Sequence, residues 1–254
     1  YLEPGSVAPY LLMALKSLTF MVGKLLWPLA LAPEYVYGAP SGGFDPWVLG
    51  ALAMVTGYLL LLWRAWRRWP QAAFALLWLG LFWLPTANLW PLSYFAADRY
   101  LYAPLAGLAL LTPLAIERWC PGKNHLPVQL LALLLFACAL LSWQQNRVWS
   151  TPLSLWSHAA RVAPASTSAR NNLGAAYLEL GRLEEARDEF KQAAANFDNP
   201  MPWYNLGRVY EQLGDRDQAL FHYRAYLAFN DPATATLAAQ LRLRLWRQYG
   251  IQVR

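Results

Sequence analysis

At 254 residues the chain has the length of two domains, and 57% hydrophobic against 14% charged residues, with 14 Trp, places it among membrane proteins. The net charge of +6 does not point to a nucleic-acid partner, because the basic residues form no block: residues 1–146 hold 8 Lys+Arg and 5 Asp+Glu, residues 147–254 hold 13 and 10, and each part is +3. The denser charge of the second part predicts a membrane domain over 1–146 and a soluble domain over 147–254.

The first predicted element, 6–31, is apolar except for Lys16 and Lys24. Eight residues along a helix is an angular offset of about 80°, so both lysines share roughly one face. That suits either a span with snorkelling lysines or a helix lying in the interface. Residues 32–46, APEYVYGAPSGGFDP, read as an ordered surface loop that carries Glu34 and Asp45 and packs through Tyr35, Tyr37 and Phe44. Spans are predicted over 47–63, 71–86, 100–116 and 126–143, each on the short side for about 30 Å of hydrocarbon. With 6–31 they make a bundle of 4–5 apolar helices. Arg64, Arg67 and Arg68, read as one loop, set it cytoplasmic by the positive-inside rule, as do Arg118 and Lys123 two spans later. The soluble part then lies on the outer face, periplasmic beside a bacterial inner membrane or lumenal in a eukaryote.

The stretch between the second and third of these spans, LPTANLWPLSYFAADRYLYAPLAG, organises the rest. No charge occurs in 69–97 or in 100–116, so Asp98 and Arg99 stand between two long apolar runs, with Asn88, Pro91 and Ser93 breaking the helix before them. An ionisable pair at that depth is costly unless it is partnered or used. Two readings are open. Asp98 and Arg99 form a membrane-mouth ion pair, with Tyr94, Tyr100 and Tyr102 as interfacial anchors; or the planar guanidinium of Arg99 holds the phosphate of a lipid-linked substrate, with Lys16 and Lys24 as further candidates. Cys120 and Cys138 show no CxxC spacing and His125, His158 and His222 are scattered, so no metal, haem or cysteine nucleophile is expected, and no cofactor. The chain starts at Tyr1 without a signal-peptide pattern and is expected to be processed or a piece of something longer.

The soluble part has a period of 33. NNLGAAYLELGRLEEARDEFKQAA from Asn171 aligns with YNLGRVYEQLGDRDQALFHYRAYL from Tyr204, so that Leu173, Gly174, Tyr177, Gly181, Ala186 and Phe190 meet Leu206, Gly207, Tyr210, Gly214, Ala219 and Tyr223. This resembles the tetratricopeptide repeat, in which small residues let two helices close and large ones fill the gap. Trp203 takes the leading aromatic position. Arg170 in the same place, Tyr226 in the last small-residue position and Asp198 in place of a proline depart from the pattern. Repeats are expected at 167–199 and 200–232, after a half repeat at 150–165 that Trp149 and Trp156 seat on the membrane part. A capping helix at 234–249 follows, with Leu237, Leu241, Leu245 and Trp246 as its apolar stripe and Arg242, Arg244 and Arg247 on other faces. The repeat resemblance implies a groove for a peptide or protein partner, here Asn172, Asn205, Tyr204 and Arg208. The alternative is a surface too shallow for a peptide that packs on a neighbour.

LPTANLWP, ADRYLYAPLAG, a further span, a QQNRVW exit and a repeat with NNLG, in that order, resemble the C-terminal portion of the transmembrane and tetratricopeptide-repeat-containing O-mannosyltransferases and their bacterial relatives. ALKSLTFMVGKLLWPLALAPEYVYG resembles the segment that precedes those spans. The resemblance implies an all-α, GT-C type fold: a polytopic membrane helix bundle that holds a polyprenyl-phosphate sugar, followed by a short repeat solenoid. It also implies an outer-face carboxylate as base for transfer to a protein hydroxyl. In the family that carboxylate lies in the first outer loop, ahead of everything present here. Glu3, Glu34, Asp45 and Asp98 are the outer-face acids of the membrane part, and none sits in a paired-acid motif, so the catalytic residues of this chain are unassigned. The expectation is either part of a glycosyltransferase or a non-catalytic scaffold or accessory subunit, meeting membrane lipids and protein partners through its apolar helices or its repeat groove.

Overall fold

The computed structural model describes residues 7–28, 31–35, 42–87, 96–120, 125–197 and 199–250. Among these it is all-α, with one isolated antiparallel bridge, Tyr35 to Ala96. Asn88, Pro91, Ser93 and Tyr94 of the organising stretch lie outside the described residues, as do Glu3, Tyr37, Lys123 and Asp198. The chain divides into two compact units, Tyr1–Arg147 and Val148–Arg254.

The first unit holds α1 (Val7–Leu26), α2 (Pro46–Arg68), α3 (Pro70–Trp83), α4 (Tyr102–Trp119) and α5 (Leu126–Val148, less its last residue). The segments Pro9–Leu26, Pro46–Arg68, Asp98–Trp119 and Leu126–Val148 are long and apolar enough to cross a membrane, and Pro70–Thr86 is a shorter apolar helix. This unit associates with a membrane through them. Consecutive helices pack as α1 on α2, α2 on α3 and α3 on α4. Asp45 starts α2 by accepting the Trp47 N–H at 2.9 Å, with Pro46 in the first turn. Thr19 of α1 then donates to the Trp47 carbonyl at 2.7 Å and fixes the pair at that end. Gly107 lets α4 close on α3: a Cβ there would lie 2.7 Å from the Ala75 carbonyl oxygen.

Two sequence expectations change here. Arg64, Arg67 and Arg68 are not in a loop: α2 runs through Arg68, and Trp69 alone separates it from Pro70 at the start of α3. Cations in the last turn of a helix meet the negative end of its dipole, and proline suits a first turn, so the junction is as short as the chain allows. The segment read as a surface loop is partly interior. Ala32, Glu34, Tyr35 and Asp45 are buried, whereas Phe44, expected to pack, is 92% exposed.

The second unit is a ladder of antiparallel helices: α6 (Pro152–Val162), α7 (Thr167–Glu179), α8 (Leu183–Ala194), α9 (Met201–Gln212), α10 (Arg216–Ala228) and α11 (Ala235–Tyr249). The small-against-large pairing read from the period is how it packs. Phe190 stacks where a Cβ on Gly174 would be, at 2.7 Å, and Tyr223 does the same over Gly207. Gly181 and Gly214 turn the chain between the paired helices at φ of +71° and +80°, which a residue with a Cβ adopts only under strain. The two departures from the repeat pattern that fall among the described residues, Arg170 and Tyr226, each have a use. Arg170 donates to the Pro164 carbonyl at 2.9 Å and pairs with Glu189 at 3.0 Å, bracing the first repeat. Tyr226 fits a position usually small because Leu241 and Leu245 of α11 complete the core around it.

Candidate functional site

The bridge between Tyr35 and Ala96 joins the segment after α1 to the segment before α4. Tyr35 donates its N–H to the Ala96 carbonyl at 3.1 Å. Its hydroxyl accepts the Ala32 N–H at 2.9 Å and donates to Asp98 Oδ1 at 2.6 Å. Burial and the bond to Asp98 both raise the phenol above its ordinary pKa, so it stays a donor. Phe20 meets the Tyr35 ring edge-on at 5.0 Å, and Lys24 Nζ lies 4.9 Å from that ring's centroid and interacts electrostatically with Asp98. Asp98 opens a 3-10 turn, Asp98–Leu101, that leads into α4. Arg99 donates Nη1 to the Pro33 carbonyl at 3.3 Å, its guanidinium 5.3 Å from the Tyr100 ring. Gln145, near the end of α5, reaches the Leu31 carbonyl at 3.3 Å.

Residues 31–35 are thus held from three sides, and a cluster of Lys24, Tyr35, Asp98 and Arg99 forms where α1 ends and α4 begins. Lys24 and Arg99 supply two cations and Asp98 a carboxylate fixed by a phenol, while Glu34, buried in the same segment, supplies a second carboxylate. Of the residues singled out in the sequence, the structure brings Lys24, Asp98 and Arg99 together. It places Lys16 elsewhere, 3.9 Å from Asp45 at the start of α2. Sequence reasoning missed Tyr35 and Gln145 as members. Tyr35 was visible only as an aromatic in a Pro- and Gly-rich loop, and Gln145 only inside the QQNRVW string.

An apolar cavity of about 700 Å³ opens beside this cluster, lined by residues of α1, α2, α3 and α4. Among the described residues no group of three His, Cys, Asp or Glu could hold a metal.

In the second unit Asn205 is buried and donates Nδ2 to Asn171 Oδ1 at 3.0 Å, a bond from one repeat to the other. Asn172 is half-buried and Arg208 is exposed. Tyr204 packs inward, 5.9 Å from Tyr223 and 5.3 Å from Tyr226. A network the sequence did not reveal centres on Glu211. Its carboxylate accepts from Tyr223 at 2.8 Å and from Tyr249 at 3.0 Å, and lies 3.4 Å from the Arg244 guanidinium.

Comparison with known proteins agrees with both units. Residues 167–195 and 200–232 each match the tetratricopeptide-repeat family. The protein O-mannosyl-transferase Tmtc3 of Drosophila melanogaster is 32% identical over 142 residues, 54% of this chain and 15% of that protein. Protein O-mannosyl-transferase F38B6.6 of Caenorhabditis elegans is 26% identical over 172 residues, 66% of this chain and 25% of that protein. Protein O-mannosyl-transferase TMTC1 of Mus musculus is 24% identical over 208 residues, 75% of this chain and 22% of that protein. The chain therefore resembles the repeat-containing protein O-mannosyl-transferases over half to three quarters of its own length, while spanning a quarter or less of theirs.

Proposed function

We propose that this chain is the membrane-anchored, repeat-bearing part of a glycosyl-transfer machine that uses a polyprenyl-phosphate sugar. Arg99 and Lys24 hold the lipid phosphate at the outer mouth of the helices, and the repeats present a protein partner or acceptor on the same outer face. The observation that carries this reading is the convergence of Lys24, Asp98 and Arg99 on the segment anchored by Tyr35, in a chain similar to proteins named as protein O-mannosyl-transferases. Tyr35 holds Asp98 so that its charge steadies the two cations. Lys16, engaged with Asp45, serves the start of α2 instead.

The alternative, a non-catalytic scaffold or accessory subunit, draws support from α5, which has no buried residue along its 23 and so offers its whole apolar surface to a neighbour. A base for transfer must come within hydrogen-bond reach of the acceptor hydroxyl. Asp98, already bound to Tyr35, is a weak candidate for that task.

The test is retention of an isoprenyl phosphate by the purified full chain. Arg99→Lys replaces a forked donor by a point charge and is expected to lower retention about tenfold, since a hydrogen bond to a charged group contributes about 1.5–3 kcal/mol. Unchanged retention by a folded Arg99→Lys chain would remove Arg99 from the site.

A further inference from the structure

We propose that the outward face of α11 is a docking strip for an anionic lipid surface: Leu243 and Trp246 enter the headgroup region while Arg242 and Arg247 meet lipid phosphates.

α11 carries two apolar sides. Leu241 and Leu245 are buried against the second repeat and hold the helix in place. Leu243, two residues from each and so about 200° around the helix, is 47% exposed, and Trp246, expected with the inner stripe, is 53% exposed. Ala239 and Gln240 continue this outer side. The last helix of a solenoid ordinarily turns a polar face to water, so an outer Leu and Trp one turn apart call for a cover.

The charges around the strip favour lipid as that cover. Arg242 and Arg247 lie five residues apart, about 140° around the helix, and Trp246 and Leu243 fall within that arc. α11 holds no acidic residue. Arg244 is turned to Glu211, whereas among the described residues Arg242 and Arg247 enter no ion pair. A Leu and a Trp bordered by guanidiniums is the composition of a helix lying in a bilayer interface, where the indole sits at headgroup level and the arginines reach anionic phosphates.

Area decides against a protein partner. The 15 residues of α11 span about 22 Å, and a helix is about 10 Å wide, so the strip is on the order of 200 Å². A stable protein interface takes about 800 Å² from each partner. A lipid surface needs no such area here, because the second unit is tethered to one. Only Trp149, Ser150 and Thr151 separate α6 from α5, which is long and apolar enough to cross a membrane. That tether turns a free encounter into an intramolecular one, and α11, already folded on its inner side, has no ordering left to undergo.

The full chain, with Cys120 and Cys138 replaced, is spin-labelled either at Ala239→Cys inside the strip or at Gln192→Cys on the exposed side of α8. It is placed in nanodiscs of phosphatidylcholine alone or with phosphatidylglycerol added. Oxygen, which concentrates in lipid, and a nickel chelate, which stays in water, read the surroundings of each label. The label at position 239 is expected to gain oxygen contact and lose nickel contact when phosphatidylglycerol is present, and to revert in high salt. The label at position 192 is expected to stay in water throughout. An arginine near an anionic surface contributes about fivefold, so Arg242→Gln with Arg247→Gln should lower the docked-to-free ratio about 25-fold. Trp246→Ser should release the strip as well. Equal nickel access at position 239 in both bilayers would overturn the proposal. So would protection from both reagents whatever the lipid charge, which marks a protein contact, or spin-spin broadening removed by dilution with unlabelled chain, which marks a second copy seated on the strip.

Discussion

Glu211→Ala removes the hub that ties α11 to the second repeat. Tyr223 is fully buried, and its phenol, held above its ordinary pKa first by that burial and then by the bond to Glu211, is left without its acceptor. An orphaned buried hydroxyl costs about 1–3 kcal/mol. The partners at the surface add little: the Arg244 side chain is 41% exposed, where ion pairs contribute about 0–1 kcal/mol. A loss of about 2–3 kcal/mol is expected, against about 0.5–1 for Tyr249→Phe, which deletes a single neutral donor. Amide hydrogen exchange of residues 235–249 in the full chain reads this directly, because α11 opens at the end of a solenoid. Exchange there should accelerate about 30- to 150-fold in Glu211→Ala and a few-fold in Tyr249→Phe. Equal, small effects of the two would mean that Leu241 and Leu245 alone hold the cap and that the carboxylate network is incidental.

Ala186→Trp and Ala219→Trp overpack buried helix contacts of the two repeats and should each destabilise the repeat unit by about 1–3 kcal/mol, leaving the membrane helices intact by far-UV melting in detergent; joint collapse of both units would refute their independence. His222 is buried, stacked on Tyr210 and held neutral by desolvation and by Lys191, its pKa lowered from 6.5 to about 4. The unfolded chain takes up this proton first, so the contribution is full above pH 6.5 and is lost as pH falls towards 4, up to about 3 kcal/mol; denaturation of wild type and His222→Phe at pH 7 and 4.5 should show the difference only in wild type. With Cys120 and Cys138 replaced, cysteines introduced into the repeats should label from outside intact cells, and labelling at position 67 instead would reverse the orientation. The isolated chain is expected to transfer no sugar from a polyprenyl-phosphate donor to peptides, and measurable transfer would sink that expectation.

The helices and the repeats were legible because their signals are local and repeated. Gly174 under Phe190 and Gly207 under Tyr223 recur at a spacing of 33, and each packing partner lies within one helix pair. Helix ends were less so. The arginines after Trp63 looked like a loop because charge usually ends a span, whereas here they complete α2 at the end where its dipole favours them.

The site was legible only in halves. Asp98 and Arg99 stood out as charges in an apolar context, and Lys24 as one of two lysines on a face. What joins them is Tyr35, 63 residues from Asp98, and the Arg99 contact to Pro33 spans 66. No period or motif encodes such a pairing, because it depends on how α1 and α4 are brought side by side. The same distance explains what the pairing does. Burying Tyr35 against Ala96 fixes the ends of two membrane helices to each other, and the phosphate site proposed above needs that pairing, because Lys24 and Arg99 are carried by different helices. On that proposal Tyr35→Phe, which keeps the ring and loses the hydroxyl's bonds to Asp98 and to the Ala32 N–H, should weaken phosphate binding without unfolding the bundle.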